Sequence, residues 1–181
     1  NWTSSSNGNA IHLYDAAADA RIYIYNNTMF NCTTGIESEA ACPPALVKNN
    51  IALSISGSGY TGPFETGSTN NASSDTTAST ETGMSNGITG LNSFSNYFCS
   101  ITSGSEDFHL KNDSNALFGS YGADLDSDLS LAITNDIDGE TRDSSTPDIG
   151  ADEYVLIPVE QEGFLWRNDD GTDETDATGK E

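Results

Sequence analysis

Along this chain apolar and polar residues alternate in short bursts instead of recurring at helical spacing. Ile22-Tyr-Ile-Tyr-Asn-Asn-Thr-Met-Phe30 alternates and runs into a pair of asparagines, and Ala45-Leu-Val-Lys-Asn-Asn-Ile-Ala-Leu53 repeats that outline. No segment holds a sustained apolar repeat at i, i+3, i+4 and i+7, so the pattern predicts an all-β chain of short strands. The pairs Asn26-Asn27 and Asn49-Asn50 recur roughly twenty-three residues apart, and self-similarity at a period of that size marks a solenoid. No single coil of a solenoid buries its own inner face, so stacked coils share one core. Asn suits the turns because it tolerates left-handed φ/ψ, and its amide reaches the matching amide one rung, about 4.8 Å, along the axis. Asn27 and Asn50 are therefore expected to be structural. Ala10-Ile-His-Leu-Tyr14 reads as an early strand, and Gly87-Ile-Thr-Gly-Leu91, Tyr97-Phe-Cys-Ser-Ile101 and Asp107-Phe-His-Leu110 as later ones.

Between 57 and 86 the composition collapses into Gly, Ser, Thr, Asn and acidic residues, interrupted by Thr61-Gly-Pro-Phe64. So polar a stretch buries too little surface to offset its ordering entropy. It is expected to be a long loop inserted into the stack and projecting from it, the kind of segment that carries contacts or tolerates variation.

Charge narrows the partners. With 28 acidic against 6 basic residues and a formal charge of −22, the surface repels phosphate, which speaks against nucleic acid. Divalent cations and the polar faces of sugars suit it better. No run of about eighteen apolar residues is present, so no membrane span is expected. The first residues lack Met and a charged-then-apolar leader, and read as a mature or fragmentary chain that starts inside a coil.

Acidic residues cluster toward the end. Asp136-Ile-Asp-Gly-Glu140 places carboxylates around a Gly turn, a pattern able to supply several oxygens to a structural Ca2+ through Asp136, Asp138 and Glu140. Against it stands a simpler reading, which we favour: Arg142 pairs with Asp148 or Asp152 and the other acids cap turns. Asp124, Asp126 and Asp128 alternate and would share one side of an extended strand. Cys32 and Cys42 flank residues 33–41 and either form a disulfide in an oxidising compartment or serve, with Cys99, as small core hydrophobes. Cys99 is expected to be a buried thiol, and neither histidine has an evident partner. Asn1, Asn26, Asn31, Asn71 and Asn112 each begin an N-x-S/T glycosylation triplet, with Asn71 the most accessible on this reading.

Two stretches carry a family resemblance. Asp138-Gly-Glu-Thr-Arg142 followed by Asp148-Ile-Gly-Ala-Asp-Glu-Tyr154 resembles the closing coil of secreted right-handed parallel β-helix proteins, which end on DG..R and DIGA.E[YF]. Asp107-Phe-His-Leu110 resembles the DFHL strand of the same group. The resemblance implies a right-handed parallel β-helix over residues 1–154, with an extracellular or cell-surface location. Val155-Leu-Ile-Pro-Val159 then reads as a β strand, and Gly163-Phe-Leu-Trp-Arg-Asn-Asp-Asp-Gly171 resembles the start of a small module that follows such helices, so 155–181 is expected to form a C-terminal strand and acidic tail.

This fold hosts lyases, hydrolases, adhesins and filaments alike, so function rests on the residues. Arg21, Lys48, Lys111, Arg142, Arg167 and Lys180 do not cluster, which leaves a lyase without its base. The expectation is a non-catalytic structural protein that associates with itself through open strand edges into a filament. The alternative is a carbohydrate-active lyase or hydrolase, or a carbohydrate-binding β-helix of the tailspike-adhesin kind, with Asp124, Asp126 and Asp128 as groove carboxylates.

Overall fold

Asparagines with positive φ bend the chain at regular intervals. Asn26, Asn49 and Asn70 lie at φ of 54°, 55° and 54°, a conformation Asn enters at less cost than most residues. In the computed structural model, which describes residues 2–3, 8–111, 118–119 and 121–154, each of these bends separates two short strands. The first sheet contains β1 (Trp2–Thr3), β4 (Thr28–Phe30), β7 (Ile51–Leu53) and β10 (Ala72–Ser73) in that order. A second holds β2 (Asn9–Leu13), β5 (Thr34–Ser38) and β8 (Tyr60–Thr61), and a third β3 (Tyr23–Tyr25), β6 (Leu46–Lys48), β9 (Ser68–Thr69) and β11 (Met84–Ser85).

Every pairing in these three sheets is parallel, and the chain visits them in rotation. Strands that touch therefore lie one circuit apart in sequence, with Met29 beside Ala52 and Ile51 beside Ala72. Circuits shorten as they proceed, from 23 residues between Asn27 and Asn50 to 21 between Asn50 and Asn71. In the last circuit the single-turn helix α1 (Thr77–Thr80) replaces a strand over β8. There Thr77 Oγ1 accepts the Tyr60 N–H at 2.9 Å and Asp75 Oδ2 accepts the Gly59 N–H at 2.9 Å.

Residues 57–86 are thus not a projecting loop. They form β8, β9, β10, α1 and β11, part of the stack itself. Composition misleads here because a narrow circuit needs little apolar volume: Tyr60, Phe64 and Ala78 fill it, while Ser68, Asn71 and Ser73 are buried with their polar atoms bonded.

Two apolar clusters lie on opposite faces of the first sheet. Met29, Ile36, Val47, Ala52, Tyr60 and Phe64 pack between the three sheets. Phe30, Ile51, Leu53, Phe98, Phe108, Phe118 and Ile149 pack on the other face, against the C-terminal part of the chain. All three residues of β7 are accordingly buried, which is why its sequence reads as an unbroken apolar run. The covering layer includes an antiparallel pair, β12 (Phe98–Ser100) and β13 (Asp107–Leu110), with Phe98 opposite Leu110. Its short connection admits a hairpin and excludes a parallel crossover. Phe98, Phe108 and Leu110 point inward, so Cys99 and His109 point out; Cys99 is exposed, contrary to expectation.

Residues 121–154 then wrap back across the Asn corner without regular strands. Gly150 shows why this closing motif has its composition. At φ +102° it lies so close to the sheet that a Cβ would sit 2.6 Å from Ile51 Cδ1 and 2.8 Å from Thr28 Oγ1. Ile149 beside it is fully buried. No helix among the described residues is long and apolar enough to cross a membrane. The expected strand at 155–159 and the tail to 181 lie outside the described residues.

Candidate functional site

The corner asparagines divide their work by position. The second of each pair faces inward and builds a ladder: Asn50 Oδ1 accepts the Asn27 N–H at 3.0 Å and Asn27 Nδ2 at 2.9 Å, and Asn71 Oδ1 accepts both corresponding donors of Asn50 at 3.0 Å. Asn27 and Asn50 stack as expected, and Asn71 adds a third rung. The first of each pair faces the wrap. Asn49 exchanges two bonds of 2.8 Å with the Ala123 backbone, accepting its N–H and donating to its carbonyl, and Asn70 Nδ2 donates to the Tyr121 carbonyl at 2.6 Å. The wrap is also tied by the Gly150 N–H to the Asn49 carbonyl at 2.9 Å and by the Ala151 N–H to Thr28 Oγ1 at 3.0 Å.

Arg142 organises the wrap from within. Buried to 7 % exposure, its guanidinium donates to the carbonyls of Asn135, Asp148, Gly150 and Ala151 at 3.3, 3.2, 2.9 and 2.8 Å. Its carboxylate partner is Glu153, at 3.3 Å, rather than the expected Asp148 or Asp152. Glu153 also accepts the N–H groups of Asp143 and Asp148. Asp148 meets Arg142 through its backbone carbonyl, while its Oδ2 holds the Tyr154 N–H at 2.8 Å. The reason is geometric: after the turn at Gly150 it is Glu153 that comes back against the guanidinium. Burial raises the Glu153 carboxyl above its ordinary range despite those N–H groups and Arg142, and lowers Arg142.

The three residues expected to hold Ca2+ do not converge. Asp136 Oδ1 accepts the Asp138 and Glu140 N–H groups at 3.0 and 2.8 Å, and its Oδ2 accepts that of Glu153 at 3.1 Å. Its oxygens thus shape the loop, and Glu140 is exposed. Among the described residues the ligand-type side chains within reach of one ion are instead His109, Asp138 and Asp152. Asp152 accepts the Leu110 N–H at 2.7 Å, and burial raises its carboxyl although that bond and His109 oppose the shift. The sequence offered no sign that His109 had partners; its ring lies 2.5 Å from Asp107 and 2.9 Å from Asp138. His12 likewise meets Glu39 at 3.1 Å.

Asp124, Asp126 and Asp128 do not share a strand face. Asp124 Oδ1 accepts the Asp126 N–H at 2.9 Å, and Asp128 Oδ1 accepts those of Ser130 and Leu131 at 2.8 and 3.1 Å. Asp128 Oδ2 meets Lys48 Nζ at 2.7 Å. Burial alone would raise Asp128; Lys48 and the two N–H groups outweigh it and hold the carboxyl low.

No disulfide joins Cys32 to Cys42. Cys42 Sγ accepts the Ala16 N–H at 3.4 Å, whereas the Cys32 thiol donates to the Phe30 carbonyl at 3.4 Å. Both are buried at separate places on the circuit. Of the glycosylation triplets, Asn71 is wholly buried in the ladder, not exposed, and the amide atoms of Asn26 are buried. Asn31 is exposed at a bend, while Asn1 and Asn112 lie outside the described residues.

No protein-family model matches this chain, and neither a curated protein nor a solved structure is significantly similar to it.

Proposed function

We propose that this chain is a right-handed parallel β-helix acting as a non-catalytic structural subunit of an extracellular or cell-surface filament, lengthened by strand addition along its axis. One observation carries the reading. Among the described residues β1, β2 and β3 pair on one side only, and at the opposite end β11 likewise pairs only with β9, while β8 there is covered by α1 and β10 is bridged at Ala72 by Ile88. A stack that leaves β1, β2 and β3 open at one end and β11 open at the other offers two different edges, so that parallel strands of a second copy can add head to tail, a heterologous contact that does not close on itself. The fate of the acids adds support. Asp124, Asp128, Asp136 and Glu153 commit oxygens to backbone N–H groups or to a cation, which suits turn-forming carboxylates better than a groove acid and base.

Size-exclusion chromatography with light scattering, followed by negative-stain electron microscopy over rising concentration, tests this. Mass should grow and threads of constant width should appear. A strict monomer at every concentration would overturn the filament reading, and loss of an added polysaccharide would favour the carbohydrate-active alternative.

A further inference from the structure

Where β13 meets the wrap, side chains from three distant stretches converge. His109 Nε2 lies 2.9 Å from Asp138 Oδ2, and one ligand atom from each of His109, Asp138 and Asp152 falls within 4.8 Å of the others. The cluster differs from scattered surface acid in three ways. First, the imidazole is oriented from behind: Asp107 Oδ1 faces Nδ1 at 2.5 Å and also accepts the His109 N–H at 3.1 Å. A carboxylate that accepts a hydrogen bond from Nδ1–H favours the tautomer whose Nε2 lone pair is directed forward, the arrangement by which metal-bound histidines are held. Second, Asp152 is buried and fixed by the Leu110 N–H at 2.7 Å. Third, His109 Nε2 and Asp138 Oδ2 face each other at 2.9 Å, a contact that a cation held between the two bridges as well as a proton on Nε2 does.

The spacing fits a small ion. With bonds of about 2.0–2.1 Å, tetrahedral ligands lie roughly 3.3 Å apart, near the 2.9 Å between His109 and Asp138 and inside the 4.8 Å that bounds the set. The donor set chooses among ions, since Ca2+ takes about six to eight oxygens whereas imidazole with carboxylate suits Zn2+ and its neighbours. We propose that His109, Asp138 and Asp152 bind one divalent transition-metal cation of the Zn2+ type, with Asp107 orienting the imidazole. The ion fastens the β12–β13 hairpin to the wrap, joining segments that otherwise meet at the exposed edge of the layer.

Isothermal titration of the full chain with ZnCl2, in millimolar Ca2+ to occupy isolated carboxylates, should show one Zn2+ per chain. Co2+ in its place should give a visible ligand-field band. His109→Gln and Asp138→Asn should each weaken Zn2+ by more than about 100-fold and abolish the Co2+ band, while Asp107→Asn, acting through His109, weakens it about 10- to 100-fold. Asp124→Asn, remote from the cluster, should leave binding unchanged, and far-UV circular dichroism confirms that each variant is folded. Thermal unfolding of the wild type should shift upward with Zn2+ and return with EDTA. Absence of saturable binding would overturn the proposal, because a proton on Nε2 would then suffice to bridge the contact. Binding unaltered by His109→Gln, or Zn2+ displaced by Ca2+ at equal concentration, would overturn it as well.

Discussion

Replacing Asn50 by Ala removes the centre of the amide ladder. Asn50 is fully buried, and its Nδ2 donates to the Ile24 and Lys48 carbonyls at 2.8 and 2.9 Å besides reaching Asn71. After truncation the Asn27 side chain keeps the Tyr25 carbonyl, and Asn71 Oδ1 keeps the Asn50 N–H. The Asn27 backbone N–H loses its acceptor. One stranded buried donor costs about 1–3 kcal/mol, and the remaining lost bonds and the small cavity bring the total to about 3–5 kcal/mol. That is a large share of a domain stability of roughly 5–15 kcal/mol. Asn27→Ala, at the first described rung, strands no such donor among the described residues and should cost about 1–2 kcal/mol. The exposed Asn92→Ala should stay within about 0.5 kcal/mol of wild type. Urea unfolding followed by far-UV circular dichroism measures all three. Asn50→Ala within about 0.5 kcal/mol of wild type at unchanged m, or Asn27→Ala costing more than Asn50→Ala, would refute the reasoning.

Further expectations follow from other sites. Arg142→Met keeps the aliphatic stem but strips four carbonyls of a donor and leaves Glu153 buried without its cation; about 3–5 kcal/mol should be lost, with limited proteolysis within 121–154 accelerated, and wild-type behaviour would contradict this. Gly35→Ala places a methyl 2.4 Å from the Gly59 carbonyl oxygen and 2.8 Å from Ala52 Cβ, and urea unfolding should show about 1–3 kcal/mol of overpacking strain. For Asp75, burial alone would raise the carboxyl, but the Thr77 hydroxyl and the Gly59 and Thr77 N–H groups outweigh it and hold it low. Its folded value lies below the unfolded one, so its contribution is present above about pH 4 and is lost as pH falls through the folded value. The stability gap between wild type and Asp75→Asn should therefore shrink on acidification, and a constant gap would contradict the assignment.

Legibility from sequence followed periodicity. Asn27 and Asn50 stood out because apolar alternation leads into each pair. Asn70-Asn71 carries the same signal one circuit on, yet its flanking strands shrink to Ser68–Thr69 and Ala72–Ser73, too short and too polar to show alternation. That is how 57–86 came to look like a loop. Arg142 was legible as a lone cation amid acids, but its partner depended on the turn at Gly150, which no spacing rule encodes. The strand Asp107–Leu110 was legible, but the outward orientation of His109 was not drawn from it, and its partners Asp138 and Asp152 arrive from an irregular wrap with no period to read. Cys32 and Cys42 are near in sequence, and only the path of the circuit shows that their thiols serve different bends.

Amide hydrogen exchange resolved by residue tests the stacked circuits most directly. The Asn27 and Asn50 N–H groups donate only across circuits, to the side chains of Asn50 and Asn71. The account requires them to exchange as slowly as the N–H groups of Ile51 and Ala72, which bond to the Asn27 and Asn50 carbonyls. Exchange at these two asparagines as fast as at exposed Leu129 or Gly139 would mean that the ladder, and the parallel stack built on it, does not form.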